Sequence, residues 1–252
     1  GTIVLTGNIT SATNVNFDAG TTINITGSIT NSGTVDIDAT GVTTIAATGD
    51  ITAGGAVTFG GTLLGTLTTA GDIDTTDDNI TFTRAVTLTA TVDVDTTGAS
   101  AGNILFSSTI ATAGFALALD AGAAGNITLA AALTGGGAIT IRDGAVQSYQ
   151  ALTVSSLSIL DATTSVTFNG TVTATGSISV TSGGSITQSA NISAGGTTTL
   201  VTTGSGSIAV TTINAAGQAL VLSSPGGSIT QASGTISAST LQLTASTGVG
   251  TL

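Results

Sequence analysis

The chain lacks most of the side chains that enzymes use for chemistry. Its 252 residues include no His, Cys, Met or Trp, and they also include no Glu and no Lys. General acid–base and nucleophilic catalysis depend largely on His, Glu, Lys and Cys. Zinc sites lose their two favoured ligands, Cys and His. We therefore expect a protein that is not an enzyme and that has no resident cofactor.

Charge of either sign is also scarce. Only 6% of the residues are charged, against about 25% in an average globular protein. The net charge of −11 opposes binding to nucleic acid and to anionic membrane surfaces. No apolar run approaches the roughly 18 residues of a membrane helix, so no membrane span is expected. The sequence shows no initiator Met and no signal peptide, and we expect a mature or excised piece.

The residues that are abundant favour β-structure. Gly accounts for 36 residues, and most of the others are Thr, Ala, Ser, Val, Ile and Leu. β-Branched residues favour strands, while Gly, Asn, Asp and Ser favour turns. Apolar residues make up 40% of the chain and recur regularly, which is not typical of disordered segments. The composition predicts an all-β protein.

A short signal recurs along the chain, in which Gly is followed by a polar residue and then by Ile. Its nine copies begin at Gly7, Gly27, Gly49, Gly71, Gly102, Gly125, Gly184, Gly206 and Gly227. The first four copies are 20, 22 and 22 residues apart, and the last three are 22 and 21 apart. Such a period is typical of a solenoid, in which each repeat stacks on its neighbour.

Three apolar columns follow this period, and each has twelve members. The first column is Ile3, Ile23, Ile45, Leu67, Leu88, Ile110, Leu133, Val154, Val172, Ile192, Ile213 and Ile236. The second is Ile9, Ile29, Ile51, Ile73, Val94, Leu117, Ile139, Ile159, Val180, Val201, Leu222 and Leu243. The third is Phe17, Ile37, Phe59, Phe82, Phe106, Leu129, Val146, Val166, Ile186, Ile208, Ile229 and Val249.

Three short strands per repeat predict a right-handed parallel β-helix of about twelve coils, with roughly 21 residues per coil. At about 4.8 Å per coil the rod would be roughly 55 Å long. Phe59, Phe82 and Phe106 are expected to form an internal aromatic stack. We predict a single β-helical segment over residues 1–252, with irregular coils near 75–101 and 142–165, the first including the loop Asp95–Ala101.

The chain resembles the filamentous haemagglutinin-like family, which comprises the β-helical shafts of two-partner-secreted and autotransported bacterial exoproteins. The resemblance rests on the Gly-rich and Thr-rich coils, on the absence of Lys, and on a repeated Gly-Ser-Ile-Thr-Gln motif. The motif occupies residues 184–188 and 227–231. The resemblance implies an extracellular or cell-surface location and a role in adhesion, biofilm matrix or surface fibres.

Clustered aspartates give the only metal hypothesis. Neighbours of an inward residue on a strand point outward, so acids beside the second column are expected on the surface of adjacent coils. Ca²⁺ takes clustered oxygen ligands. We therefore hypothesise a Ca²⁺ site formed by Asp72, Asp74, Asp77, Asp78, Asp93 and Asp95. The alternative is a solvated acidic surface.

The sequence favours a structural or adhesive shaft that assembles end to end, with neighbouring β-helix segments, copies of itself, or surface glycans as partners. The alternative is a carbohydrate-binding or polysaccharide-degrading β-helix. It would use Asp143 and Asp161, with Arg142 or Tyr149, in a groove. Ice binding is a third alternative, disfavoured because Thr pairs such as Thr87 and Thr89 are not expected to repeat on one face.

Overall fold

The computed structural model describes residues 1–11, 13–61, 65–96, 98 and 102–250, and at Ala216 the backbone alone. Within these ranges the chain has 34 β-strands and no helix. Each level of the coil, called a rung below, contributes one strand to each of three faces. The fold is an all-β parallel β-helix of about 11 turns with about 21 residues per turn. The predicted fold class is confirmed.

The strands are numbered β1 to β34 in chain order. Face 1 contains β1 (Ile3–Leu5), β4 (Ile23–Ile25), β7 (Val42–Ile45), β10 (Thr66–Thr69), β13 (Val86–Leu88), β16 (Ile110–Ala111), β19 (Leu133–Thr134), β22 (Leu152–Val154), β25 (Val172–Ala174) and β28 (Ile192–Ala194). Face 2 contains β2 (Ile9–Ser11), β5 (Ile29–Asn31), β8 (Ile51–Ala53), β11 (Ile73–Thr75), β14 (Val92–Asp95), β17 (Leu117–Asp120), β20 (Ala138–Ile141), β23 (Ser156–Ile159), β26 (Ile178–Ser182) and β29 (Thr198–Thr202). Face 3 contains β3 (Val15–Ala19), β6 (Val35–Ala39), β9 (Val57–Phe59), β12 (Ile80–Phe82), β15 (Ile104–Phe106), β18 (Ile127–Leu129), β21 (Val146–Tyr149), β24 (Ser165–Phe168), β27 (Ser185–Gln188), β30 (Ile208–Val210), β32 (Ser228–Gln231) and β34 (Gly248–Gly250).

Faces 1 and 2 join at the last two rungs. There β31 (Ile213–Ser224) and β33 (Ile236–Ala245) each run across both faces as one long strand. Their pairing shifts register between Ala215 and Ala219, around Gly217, which has a φ of 76°. The corner that separates the two faces elsewhere is thus replaced by a bulge, and both faces belong to one sheet.

Like residues stack over like residues inside the coil. Ile29 pairs with Ile9 on one side and with Ile51 on the other, and Ile51 pairs with Ile73. Phe59, Phe82 and Phe106 stack with ring centroids 5.1 and 4.1 Å apart, which confirms the predicted aromatic stack. The alternation of inward and outward side chains places these residues in one continuous core.

Some predicted column members are displaced by two residues. Thr43, and not Ile45, pairs with Ile23 and Leu67. Ile45 instead pairs with Ile25, and it still points inward. Leu88, Leu117, Ile139 and Val154 are displaced in the same way. The third column is displaced from Val166 onward, because Val166 continues the column of Ile127 and Gln147 and not that of Leu129. Because side chains alternate with a period of two, such a shift changes the column but keeps the face.

Two predicted column members are on the wrong face. Val201 pairs with Thr181 on the outside, while its neighbour Leu200 is buried in the column. Val146 is 40% exposed, and the inward positions of its strand are occupied by Gln147 and Tyr149. A shift of one residue reverses the face. The apolar pattern points to Val146 because the true inward residue, Gln147, is polar.

The Gly of the recurring signal is required by close approach between rungs. A Cβ at Gly125 would overlap the carbonyl oxygens of Gly102 and Ala121. A Cβ at Gly102 would likewise overlap the backbone of Asp78 and Asn79. At Gly7, on the first rung, nothing lies within 4 Å of the Cβ position. The glycine therefore matters wherever a rung lies directly beneath it.

The polar residue of the signal caps the next rung. Asn103 accepts the N–H of Asn126 at its Oδ1 (2.8 Å), and Asn126 accepts the N–H of Val146 (3.1 Å). Asp50 and Asp72 do the same on face 2, where each carboxylate accepts the N–H of the next residue in its column. Backbone donors outside the strand ladder are thereby satisfied.

The Gln of the Gly-Ser-Ile-Thr-Gln motif points inward and ties a corner. Gln188 donates its Nε2 to the carbonyl oxygen of Thr212, and Gln231 donates to that of Thr211 (3.1 Å). The Oε1 of Gln188 accepts the N–H of Thr211 (3.2 Å). One corner is thus held from both sides by the two copies of the motif.

We predict that Gly125→Ala lowers the free energy of unfolding by about 3 kcal/mol, because the added methyl group overlaps backbone that cannot move freely. Gly7→Ala is the matched control, since both glycines precede Asn and Ile. We expect it to change stability by less than about 0.5 kcal/mol. Urea unfolding followed by circular dichroism measures both, and equal effects would contradict the close-approach explanation.

Among the residues that the structure describes, two buried hydroxyl groups lack a hydrogen-bond partner, those of Thr43 and Thr198. We predict that Thr43→Val and Thr198→Val each raise the free energy of unfolding by about 1 kcal/mol, because valine has the same shape without the unsatisfied oxygen. Thr69→Val is the control, because the buried Thr69 hydroxyl donates to the carbonyl oxygen of Gly71 (3.0 Å). Thermal melts should show the opposite sign for this variant.

Candidate functional site

The strongest concentration of charge lies on the outside of face 2. Asp74 pairs with Asp95, and Asp95 pairs with Asp120, so the three carboxylates occupy one outward column. Asp72 lies immediately before the strand of Asp74, and Asp93 lies on the same strand as Asp95. We call this the acidic surface, and it consists of Asp50, Asp72, Asp74, Asp93, Asp95, Asp120 and Arg142.

Arg142 is the cation within the acidic surface. Its two Nη atoms contact the two carboxylate oxygens of Asp93 at 2.7 and 2.6 Å. Its Nη2 also lies 3.3 Å from Asp95, and its Nε donates to Asp120 at 3.0 Å. The hydrogen bonds to Asp93 are the main reason that the pKa of Arg142 is raised. One guanidinium therefore bridges carboxylates from two rungs, and its planar fork suits this geometry.

The six aspartates of the calcium hypothesis lie in two separate places. Asp72, Asp74, Asp93 and Asp95 are neighbours on face 2, whereas Asp77 and Asp78 lie in the turn after β11. Within the described ranges no three carboxylates converge on a point that could hold a metal ion. Arg142 already supplies positive charge to Asp93 and Asp95. Calcium binding stays a prediction, and any ion would compete with this guanidinium.

Asp74 has the most strongly perturbed carboxyl group of the acidic surface. Burial, the largest cause, and nearby negative charges together raise its pKa from the ordinary 3.8 to about 6. These charges belong, in order of effect, to Asp95, Asp93, Asp72 and Asp50. The folded protein therefore holds the Asp74 proton more tightly than the unfolded chain does, and the ionised form of Asp74 opposes folding.

The raised pKa predicts the pH dependence of stability. The favourable effect of protonating Asp74 is complete below pH 3.8 and is lost as the pH rises through about 6. Asp74→Asn should therefore stabilise the protein at neutral pH, by about 1 kcal/mol after allowance for solvent screening, and should have little effect at pH 3.8.

Urea unfolding at several pH values measures this difference. Asp161→Asn is the control, because it removes the same formal charge from an exposed position. An Asp74→Asn protein whose stability gain did not shrink on acidification would contradict the assignment.

A second ion pair is buried in the corner between faces 3 and 1. Arg84 Nη2 contacts Asp38 Oδ1 at 2.5 Å, and the two side chains are 3% and 15% exposed. The Arg84 side chain passes Gly60, where a Cβ would lie 2.8 Å from its Nε. Gly60 has a φ of 98°, so glycine is required there for its conformation as well. The sequence gives no signal for this pair, because the two residues are 46 positions apart.

A cavity of about 320 Å³ lies beside Arg84. Its lining comprises Gly61, Gly65, Thr66, Thr83, Arg84, Ala85 and Ser108. The guanidinium is committed to Asp38 and to the carbonyl oxygen of Ala39 (3.3 Å). Arg84 therefore connects its own rung to the rung that contains Asp38 and Ala39.

The structure separates Tyr149 from the other residues of the carbohydrate alternative. Asp143 and Asp161 are neighbours, and burial together with the charge of Asp161 raises the pKa of Asp143. Tyr149 is fully buried, where it donates to Gln147 Oε1 at 2.8 Å and stacks on Phe168. Arg142 belongs to the acidic surface, and Asp143 accepts the N–H of Gly144 (2.7 Å). The expectation that Tyr149 lines a surface groove was wrong, because its ring occupies the column above Leu129.

Threonines align on the outside of face 1. Thr44 pairs with Thr68, and Thr68 pairs with Thr87. Thr153 pairs with Thr173 further along the same face. This column repeats single threonines and not pairs such as Thr87 and Thr89, and Ala111 interrupts it. The column makes face 1 an uncharged, hydroxyl-bearing surface.

No protein-family model, no curated protein and no solved structure matches the chain. The β-solenoid is compatible with β-helical repeat proteins in general. The described ranges contain no helix that is both long and apolar enough to cross a membrane. A portion of the predicted loop Asp95–Ala101, namely residues 97 and 99–101, lies outside the described residues.

Proposed function

We propose that the chain is a shaft segment of a secreted bacterial surface or matrix fibre of the filamentous haemagglutinin-like type. Continuous parallel pairing through twelve rungs on face 3 is the observation that carries this proposal. Each added rung buries the inward side chains of the rung before it, so length increases without any new kind of core. Such a rod separates what it carries from the surface to which it is anchored.

The terminal rungs support assembly with further coils. Leu241 and Val249 occupy inward positions, yet they are 45% and 47% exposed. At the other end Ile3, Leu5 and Ile9 are only partly buried. β33 is ten residues long, and it contains no charged residue and no Pro. Charged residues and Pro usually protect an edge strand from pairing with another chain. We propose that a second copy can stack on these rungs.

The distribution of charge favours the same contact. No residue after Asp161 is charged, so the last rungs present a neutral surface. The first rungs carry Asp18, Asp36 and Asp38. A first rung that approaches a last rung therefore meets no like charge, whereas two first rungs repel each other. Head-to-tail stacking is the arrangement that both backbone pairing and charge favour.

Sedimentation over a range of concentrations, together with electron microscopy, tests the assembly. We expect rods that lengthen in steps of roughly 50 Å, given about 4.8 Å per rung. Leu241→Lys places a charge on the apolar end and should block lengthening. Thr173→Lys adds the same charge to the side of the rod and should leave lengthening intact. Monomers at every concentration would contradict self-assembly.

Incubation with acidic and neutral polysaccharides tests the shaft proposal against its main alternative. A shaft should release no soluble sugar. Release of oligosaccharides by the unaltered protein, abolished in Asp143→Asn or Asp161→Asn, would overturn the proposal in favour of a polysaccharide-degrading β-helix. Protease digestion provides a second measurement, because a continuous ladder should leave the rod intact while its unfolded form is degraded.

A further inference from the structure

One asparagine lies at a corner of the rod, where the chain leaves face 3. Asn169 follows the last residue of β24 and precedes Gly170, and its side chain is exposed. Its N–H donates to the carbonyl oxygen of Tyr149, and its Nδ2 donates to Ser148 Oγ at 3.0 Å. The N–H of Gly170 donates to no acceptor in the described part of the chain. The backbone nitrogen after Asn169 is therefore outside the hydrogen-bonded ladder.

The other asparagines have bulkier neighbours or a protected amide. Gly follows Asn in the sequence at residue 169 alone, and in most other cases Asn is followed by Ile, Val or Phe, whose side chains shield the next nitrogen. Asn31 is followed by the small residue Ser32, but it is 7% exposed. Its Nδ2 donates to two backbone carbonyl oxygens, those of Thr13 and Thr34, both at 3.1 Å. Asn31 is thus an internal control.

We propose that Asn169 is a site of spontaneous deamidation in the folded rod. The nitrogen of Gly170 loses its proton to solvent and attacks Cγ of Asn169, forming the N–C bond of a succinimide. The C–N bond to the side-chain amide breaks, and the nitrogen leaves as ammonia. Water then opens the ring at one of its two carbonyl carbons, which yields aspartate or isoaspartate. The reaction consumes water and needs no enzyme, oxidant or metal.

The product changes the neutral half of the rod. Deamidation adds one negative charge to the net charge of −11, and it does so beyond Asp161, where the sequence has no charge. The isoaspartate form also lengthens the backbone by one carbon. Gly170 is packed closely on Gln150 and Ala151 of the preceding rung, so the longer backbone disturbs this corner. An extracellular fibre that is not replaced would accumulate the change with age.

The test is ageing of the folded chain in mildly alkaline buffer, followed by peptide mass spectrometry and enzymatic detection of isoaspartate. We expect Asn169 to convert about tenfold or more faster than any other asparagine, a difference of about 1.4 kcal/mol in barrier height. Asn31 should keep its amide. Asn169→Gln is the matched control, because its side chain forms the corresponding ring far more slowly, and it should abolish the signal.

Ageing of the same chain in urea shows how fast the Asn169-Gly170 sequence deamidates when it is unfolded. The difference from the folded sample is the effect of the folded corner on the rate of deamidation. Conversion in both the folded and the unfolded samples supports the proposal. Conversion in urea alone, with Asn169 intact in the folded rod, would overturn it by showing that the corner protects the amide. Equal conversion of Asn31 and Asn169 in the folded sample would also overturn it. Neither result bears on the shaft proposal.

Discussion

The whole structure depends on parallel backbone pairing between one rung and the next. Ile29 is buried only because Ile9 and Ile51 lie directly above and below it at the same point of the coil. The pairing fixes the spacing of the rungs, and the spacing brings like side chains into contact. Corner glycines and polar caps then allow the chain to turn without leaving backbone donors unpaired.

The fold could be predicted because a solenoid repeats the same physical requirement at a constant interval. Inward isoleucines and corner glycines recur for the same reason on each rung, so the period was visible without coordinates. The exact register was harder to predict. At residues 146–149 the inward positions hold Gln147 and Tyr149, and their amide and hydroxyl groups bond to each other inside the rod. An apolar pattern alone cannot reveal such a pair.

The charged groups show where sequence reasoning stops. The predicted column aligned Leu117 with Val94, so it did not place Asp120 beside Asp95. The bidentate contact of Arg142 with Asp93 further depends on how the side chain folds back over two rungs. The pair of Arg84 and Asp38 depends on the space that Gly60 leaves in a corner. Both contacts span more than 40 residues of sequence and combine a side-chain conformation with a local backbone shape.

The capping position has a consequence for how such rods diversify. It requires one oxygen acceptor, and Asn103, Asp72 and Ser207 all meet that requirement. A neutral amide, a carboxylate and a hydroxyl are thus interchangeable there without loss of the hydrogen bond. Substitution among them can make one stretch of the exterior negatively charged and another uncharged, while the interior is preserved. The outer character of the rod can therefore evolve almost independently of its architecture.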